Sequence, residues 1–414
     1  MTTEQKSMFY RCYYGFFING MVVLLIGAVL PYLIEAAGIS YGIAGGLLST
    51  MAIGNLCASF ASPVLSEKLG RKMTVVLLSA FFPICLTIIT FMPPIPVMYV
   101  CFFLMGIGRG TVSIFNNNII NDYGDGTPAA LNILHTFFAF GAFLAPFFTS
   151  TMIELTFTWK HILYVMIVLY LTALASFATM PLGEEKPVRG KAAGTASGTT
   201  GGKGSDTVLG ESSTAGSAPA PKAASYLKSF DFYCMGLILF FYMGVENCVN
   251  GWFVTYLQDI GIMSDAFATN LVSITWIVIM IGRLTNAWIS TRVSKRVLLL
   301  VNCIGSACAL FLLISSKNIT LITIAMVMIG FFLAGIYPTS IASAGALLKG
   351  TTSGMAVLMA MSALGGIVAP QIVGWIADSV GIAGGISFLV IDAVVMVGFA
   401  ILNYWRQQVM AIVK

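Results

Sequence analysis

Charge is what this chain has least of: 9% of its residues are Asp, Glu, Lys or Arg, against 58% hydrophobic. A mean hydropathy of +0.92 goes with that scarcity, and together they exclude an ordinary soluble domain, in which about a quarter of the residues are charged. Histidine is rarer still, with only His135 and His161. A lone histidine at each of two depths cannot build a metal site, so no metal is expected. The eight cysteines stand singly, without a CxxC pair, and read as small packing residues, with no disulfides expected. No nucleophile–base pair lies at one depth, which argues against an enzyme. Gly-rich stretches such as Gly42 to Gly46 lack the context of a phosphate loop, so neither an ATP site nor any cofactor is expected.

What the chain has instead is long apolar runs. A helix of about 20 residues crosses a hydrocarbon core of about 30 Å, and twelve such spans are predicted: 9–35, 43–65, 74–92, 97–121, 129–153, 161–181, 231–257, 267–289, 297–315, 319–346, 353–377 and 383–405. The first run is too long for the apolar core of a signal peptide and leads into the others, so it is expected to be retained. Of the 21 Lys and Arg, Arg109 and Arg283 lie within spans and Lys160 and Lys317 fall on one side; the rest share the other side. That asymmetry predicts cytoplasmic termini in an integral, multi-pass protein of the plasma membrane, the inner membrane of a bacterial cell. The formal charge of +5 is then a consequence of topology, and no nucleic-acid partner is expected.

Residues 183–228 interrupt this pattern with a stretch rich in Gly, Ser, Thr and Ala, which reads as a disordered cytoplasmic linker. It divides the chain into 1–182 and 229–414, two bundles of six helices each. The halves echo one another. Gly141-Ala-Phe-Leu-Ala145-Pro146 answers Gly365-Gly-Ile-Val-Ala369-Pro370, Phe102-Phe-Leu-Met-Gly106 answers Phe331-Phe-Leu-Ala-Gly335, and Gly70-Arg71-Lys72 answers Ser294-Lys295-Arg296. The segment 63–72, PVLSEKLGRK, resembles the loop signature of the major facilitator superfamily, G-x-L-[AS]-D-[RK]-x-G-[RK]-[RK]. Glu67 stands for the Asp and Pro63 for the first Gly, while Lys68, Gly70, Arg71 and Lys72 fit. The resemblance implies the all-α major facilitator fold, in which two six-helix halves rock about a midplane site. It also makes Glu67, Gly70, Arg71 and Lys72 a gating loop.

Ionisable groups at membrane depth are costly and mark function, and Glu246 in the seventh span and Arg109 in the fourth are two of them. Glu246 could carry a proton or form a gating salt bridge with Arg109; a purely structural pair competes with both readings. Arg109 could also grip an anion or a sugar hydroxyl through its planar fork. The resemblance places the first, fourth, seventh and tenth spans around a central cavity, so Asn19, Asn116, Asn117, Asn247, Asn250 and Tyr337 are candidate solute ligands. Amides can equally tie helices together. His135 is titratable, although a satisfied helix-packing histidine is the commoner case. Gln371 and Trp375, one turn apart in the eleventh span, could line a sugar site, with Trp252 and Trp276 adding aromatic faces, whereas Trp159 and Trp405 read as interfacial. Arg283 is read as snorkelling to the cytoplasmic end of its helix, and Asp392 in the twelfth span as a packing or lateral-contact residue.

The run Asn132-Ile-Leu-His135-Thr-Phe-Phe-Ala-Phe-Gly141-Ala, and Tyr242-x-Gly-x-Glu246 with Gly251-Trp252, resemble the fucose permease and sodium–glucose-transporter-like branch of that superfamily. The branch implies entry of a sugar with a cation, H⁺ or Na⁺, and adds Asn132 and His135 to the candidates. Its fucose members carry carboxylates in helices one and four, where this chain has Asn19 and Arg109, which leaves Glu246 as the coupling group. The reading is a monomeric, cation-coupled symporter for a small polar solute, sugar first. An exporter of amphiphilic compounds, an organic-anion carrier using Arg109, and a transporter-like membrane sensor are the alternatives.

Overall fold

A segment that enters hydrocarbon must satisfy its backbone internally, and the helix does so without a partner strand. The computed structural model describes residues 2–123, 128–182, 229–347 and 352–412, less some side chains beside those limits, and no strand occurs among them. Thirteen helices follow in order: α1 (Thr3–Ala37), α2 (Tyr41–Leu69), α3 (Arg71–Ser79), α4 (Phe81–Thr90), α5 (Ile95–Tyr123), α6 (Pro128–Glu154), α7 (Trp159–Ala178), α8 (Phe230–Asp259), α9 (Asp265–Ile289), α10 (Lys295–Ser315), α11 (Ile319–Leu347), α12 (Thr352–Val380) and α13 (Ile382–Ile412). With α3 and α4 forming one path, Arg71–Thr90, they make 12 helices long and apolar enough to cross a membrane. The predicted linker lies outside the described residues.

Local signals set the ends. Thr2 and Gln5 form a reciprocal capping box at the start of α1 (2.9 and 3.2 Å), and α1 stops at Gly38, whose φ of 60° suits glycine. The side chains of Ser40, Ser264 and Ser294 cap α2, α9 and α10, satisfying N–H groups that the helix leaves unpaired.

Contacts at the helix ends reveal a basic face. Arg71, just after the α2–α3 turn, pairs with Asp122 at the end of α5. Lys72 donates to the Met180 carbonyl beyond α7 at 3.1 Å, and Arg11 of α1 donates to the Ser176 carbonyl at 2.7 Å. On the same face of the second half, Arg406 of α13 lies 3.4 Å from Asp231 in the first turn of α8 and stacks over the Phe230 ring. The opposite ends are the far face.

Glycine-on-backbone crossings hold the helices together, and they recur. A side chain at Gly141 of α6 would strike the Phe17 carbonyl of α1; one at Gly365 of α12 would strike the Phe240 carbonyl of α8. Gly106 of α5 rests likewise on the Met51 carbonyl of α2. In the second half Gly335 of α11 abuts a buried amide pair, in which Asn302 donates to Asn286 at 2.7 Å. The α1–α6 and α8–α12 packings are thus repeats of one another, as the sequence echoes imply. Close approach of this kind is how helices associate where no water drives them together.

Three seams join the helices before residue 182 to those after 229: α2 with α12, α6 with α9, and α1 with α8. Near the far face they are laced by hydrogen bonds, from Gln371 to the Gly42 carbonyl (2.9 Å), Ser40 to Asp378 (3.0 Å), Ser49 to the Ile367 carbonyl (2.6 Å) and Ser150 to Asn270 (2.6 Å).

Candidate functional site

Beneath that lacing lies a cavity to which both halves contribute. It is walled by α1, α2, α5, α8 and α12, and its polar lining is Arg109, Asn247 and Asn250 among apolar neighbours such as Val23 and Met51. Its volume is about 20 Å³, room for about one water molecule and far below the ~300 Å³ of a small-molecule pocket. Glycines bring its walls together: Gly27 of α1 abuts the Asn250 carbonyl, and Gly251 of α8 abuts Leu48 of α2. This is the shut end of a site.

Charge gathers beside it. Glu246, near the midpoint of α8, lies within electrostatic range of two guanidiniums. They are Arg283 of α9 and Arg109 of α5, and the Tyr242 hydroxyl, one turn earlier on α8, donates to the carboxylate. Arg283 also acts on Tyr242 and on His135 of α6. The sequence reading of Arg283 as a snorkelling residue is therefore corrected. Its long side chain serves the interior, and the signal that flagged Arg109, a guanidinium inside an apolar run, was present for it too. Among the described residues Arg109, Glu246 and Arg283 close no salt bridge with one another, and Glu246 takes the Tyr242 hydroxyl. All three keep partial exposure.

The amides divide. Asn250 has a buried Oδ1 without a partner, while Asn247 donates back to the Met243 carbonyl (2.9 Å) and so orients its own oxygen. Asn19 and Asn116 are fully buried away from the cavity lining, with unpartnered amide atoms. Asn117 turns its amide to the Ser113 carbonyl of its own helix (2.8 Å). The Asn132 side chain lies outside the described residues.

Aromatic and outlying candidates are placed elsewhere. His135 is exposed, edge-on to Phe16 at 5.3 Å. The Tyr337 ring lies tilted against Tyr242, 5.8 Å between centroids, with its hydroxyl 3.3 Å from the Met359 sulfur. Gln371 is a clasp between the halves in this conformation. Trp375 is 63% exposed at the far face, and the structure does not bring it to the cavity. Trp252 is buried and donates to the Pro370 carbonyl (3.1 Å), bracing the wall of the cavity. Of the loop residues, Glu67 is exposed, Gly70 turns the chain at φ 81°, and Arg71 and Lys72 hold α5 and α7 as described. Asp392 is buried on α13 with its Oδ2 unpartnered, behind α8 at Gly244 and away from the cavity.

A twelve-span chain whose two repeated halves enclose a cavity lined by Arg109 is the build of a membrane carrier. Residues 12–370 match the Major Facilitator Superfamily, and the chain belongs to that family; it is a transporter, not an enzyme. The glucose/mannose transporter GlcP of Bacillus subtilis is 22% identical over 404 residues, 94% of this chain and 92% of its own length. Bypass of stop codon protein 6 of Saccharomyces cerevisiae is 24% identical over 402 residues, 91% of this chain and 78% of its own. Among solved structures, a bacterial homolog of the human lysosomal transporter Spinster, inward-facing and unoccupied, superposes with a TM-score of 0.77 at 13% identity over 98% of both chains. The nucleoside transporter NupG does so at 0.73 and 13% over 99% of both. The E. coli fucose:proton symporter FucP superposes at 0.57 and 16%, over 95% of this chain and 98% of its own.

Proposed function

We propose that this chain is a cation-coupled symporter that takes up a small polar solute of the sugar class by alternating access, with Glu246 as the coupling group and H⁺ as the cation. Residues 1–182 and 229–414 are the two moving units, tied by the strap 183–228. The basic face is cytoplasmic and the far face outside, in the plasma membrane, with the protein acting as a monomer. The carrying observation is that Arg109 lines a cavity between the halves with Asn247 and Asn250, and that Glu246 lies within electrostatic range of it without a salt bridge among the described residues. Structural ion pairs in a membrane close on each other, because an unpaired charge there is costly; charges left apart suit a gap that a solute and an ion fill. Asn247 and Asn250 beside them suit hydroxyl groups. The similarity to GlcP along nearly its whole length supports a sugar.

The test is uptake of labelled hexoses into proteoliposomes under an imposed pH or sodium gradient. Wild type accumulates solute against its gradient when the cation gradient points inward. Glu246→Gln loses accumulation and keeps exchange of solute for solute. Accumulation that survives in Glu246→Gln would remove that residue from coupling. Net movement only outward would support export instead.

A further inference from the structure

Resting on the carrier reading above, we propose that the shut end of the cavity is a socket for one hydroxyl of the solute, taken as a hydrogen-bond donor by the backbone carbonyls of Gly27 and Gly366. Proline has no N–H, so a proline inside a helix leaves the carbonyl four residues earlier without its ladder bond. Five helices carry one among the described residues: Pro31 in α1, Pro63 in α2, Pro146 in α6, Pro338 in α11 and Pro370 in α12. The carbonyls they release belong to Gly27, Ser59, Ala142, Ala334 and Gly366. Of these five residues, Gly27 and Gly366 line the cavity. They are also the two glycines of the set, and one comes from each half.

Packing brings the two carbonyls to one place. Gly27 lies on the Asn250 backbone carbonyl and Gly366 on the Asn247 amide, positions within one turn of each other along α8. A backbone group freed at membrane depth needs another partner, because hydrocarbon offers none. The room beside them is about 20 Å³, enough for one water-sized group, and Gly27 and Gly251 close its walls on backbone and on Leu48. A hydroxyl fits that tip; a methoxyl group or a ring does not. Arg109 on the same lining has only N–H groups to offer, so the oxygen of the hydroxyl finds a donor there while its hydrogen finds the carbonyls. A neutral hydroxyl makes these contacts whether Glu246 is protonated or ionised. Since one carbonyl belongs to each half, the seated hydroxyl favours the conformation that is shut at the far face.

The experiment places the full chain in proteoliposomes and measures competition against labelled D-glucose by analogues in which one hydroxyl at a time is removed, replaced by fluorine or O-methylated. Wild type is expected to single out one position, where the deoxy and deoxyfluoro analogues each compete about ten times less well than D-glucose and the O-methyl ether less well still. Fluorine cannot donate, so its failure shows that the hydrogen of the hydroxyl is what is read. The Pro31→Ala/Pro370→Ala double variant returns an N–H to each carbonyl, keeps the Pro370 carbonyl that Trp252 holds, and should shrink the deoxy penalty to within about twofold. Pro146→Ala frees no carbonyl on the cavity lining from its bond or returns one to it, and should keep the penalty. Because each readout is a ratio within one preparation, a poorly folded fraction does not mimic the result. A flat series across all positions in wild type, a fluoro analogue that matches D-glucose at the singled-out position, or a penalty unchanged in the double variant overturns the proposal. A flat series with D-glucose still accumulating leaves the carrier reading standing. No uptake of D-glucose at all sinks the sugar reading and the socket together.

Discussion

The Gln371 amide of α12 donates to the Gly42 carbonyl of α2 across the seam between the halves, at 2.9 Å. A neutral hydrogen bond contributes about 0.5–1.5 kcal/mol net, so Gln371→Ala should raise the share of molecules open at the far face by about 2- to 10-fold. Spin labels at the exposed positions 35 and 380 would read this as a longer distance population. An unchanged distribution would show that the clasp is incidental.

Glycine crossings give a sharper contrast. Gly141→Ala and Gly365→Ala each place a methyl group on a facing carbonyl, and overpacking of this sort costs about 1–3 kcal/mol. Gly398 of α13 has open space around it, so Gly398→Ala should stabilise by up to about 1 kcal/mol through helix propensity. Thermal unfolding in detergent should rank the three variants in that order.

The Arg71–Asp122 pair is 35% and 41% exposed at its side chains. Exposed ion pairs contribute about 0–1 kcal/mol, so Arg71→Ala should leave the unfolding midpoint nearly unchanged. A fall in transport rate without a fall in stability would assign the loop to gating, as the family signature implies.

Asp392→Asn replaces a buried carboxyl group that has an unpartnered oxygen and, among the described residues, no cation beside it. A buried carboxyl without a partner gains nothing from its charge, so an amide of the same size should leave stability unchanged or raised and leave accumulation intact. Lost accumulation in a stable variant would make Asp392 a second coupling group.

The spans were readable because about 20 apolar residues in a row have one fate in lipid, and the repeat was readable because its glycines face carbonyls that admit nothing larger. Span ends were harder. α1 begins at Thr3 where hydropathy alone suggests residue 9, since helices run on past the apolar zone under their own caps. At the site, Glu246 and Arg109 announced themselves as charges in apolar runs. Arg283 sent the same signal, but a residue near a helix end can extend its side chain either way, and only packing decides. Which face an amide or indole presents is likewise tertiary: Asn116 and Asn117 are adjacent, yet one is sealed in and the other bonded to its own helix.

The Gly141 and Gly365 crossings carry a mechanical consequence. Inside each half, backbone meets backbone over a gap too narrow for a methyl group, and the halves meet the same way, Gly27 against the Asn250 carbonyl and Gly374 against the Tyr41 carbonyl. The plane dividing the bundles is therefore pinned, by backbone as well as by side chains, toward the far face. Jaws fastened in this way at one rim part first at the other.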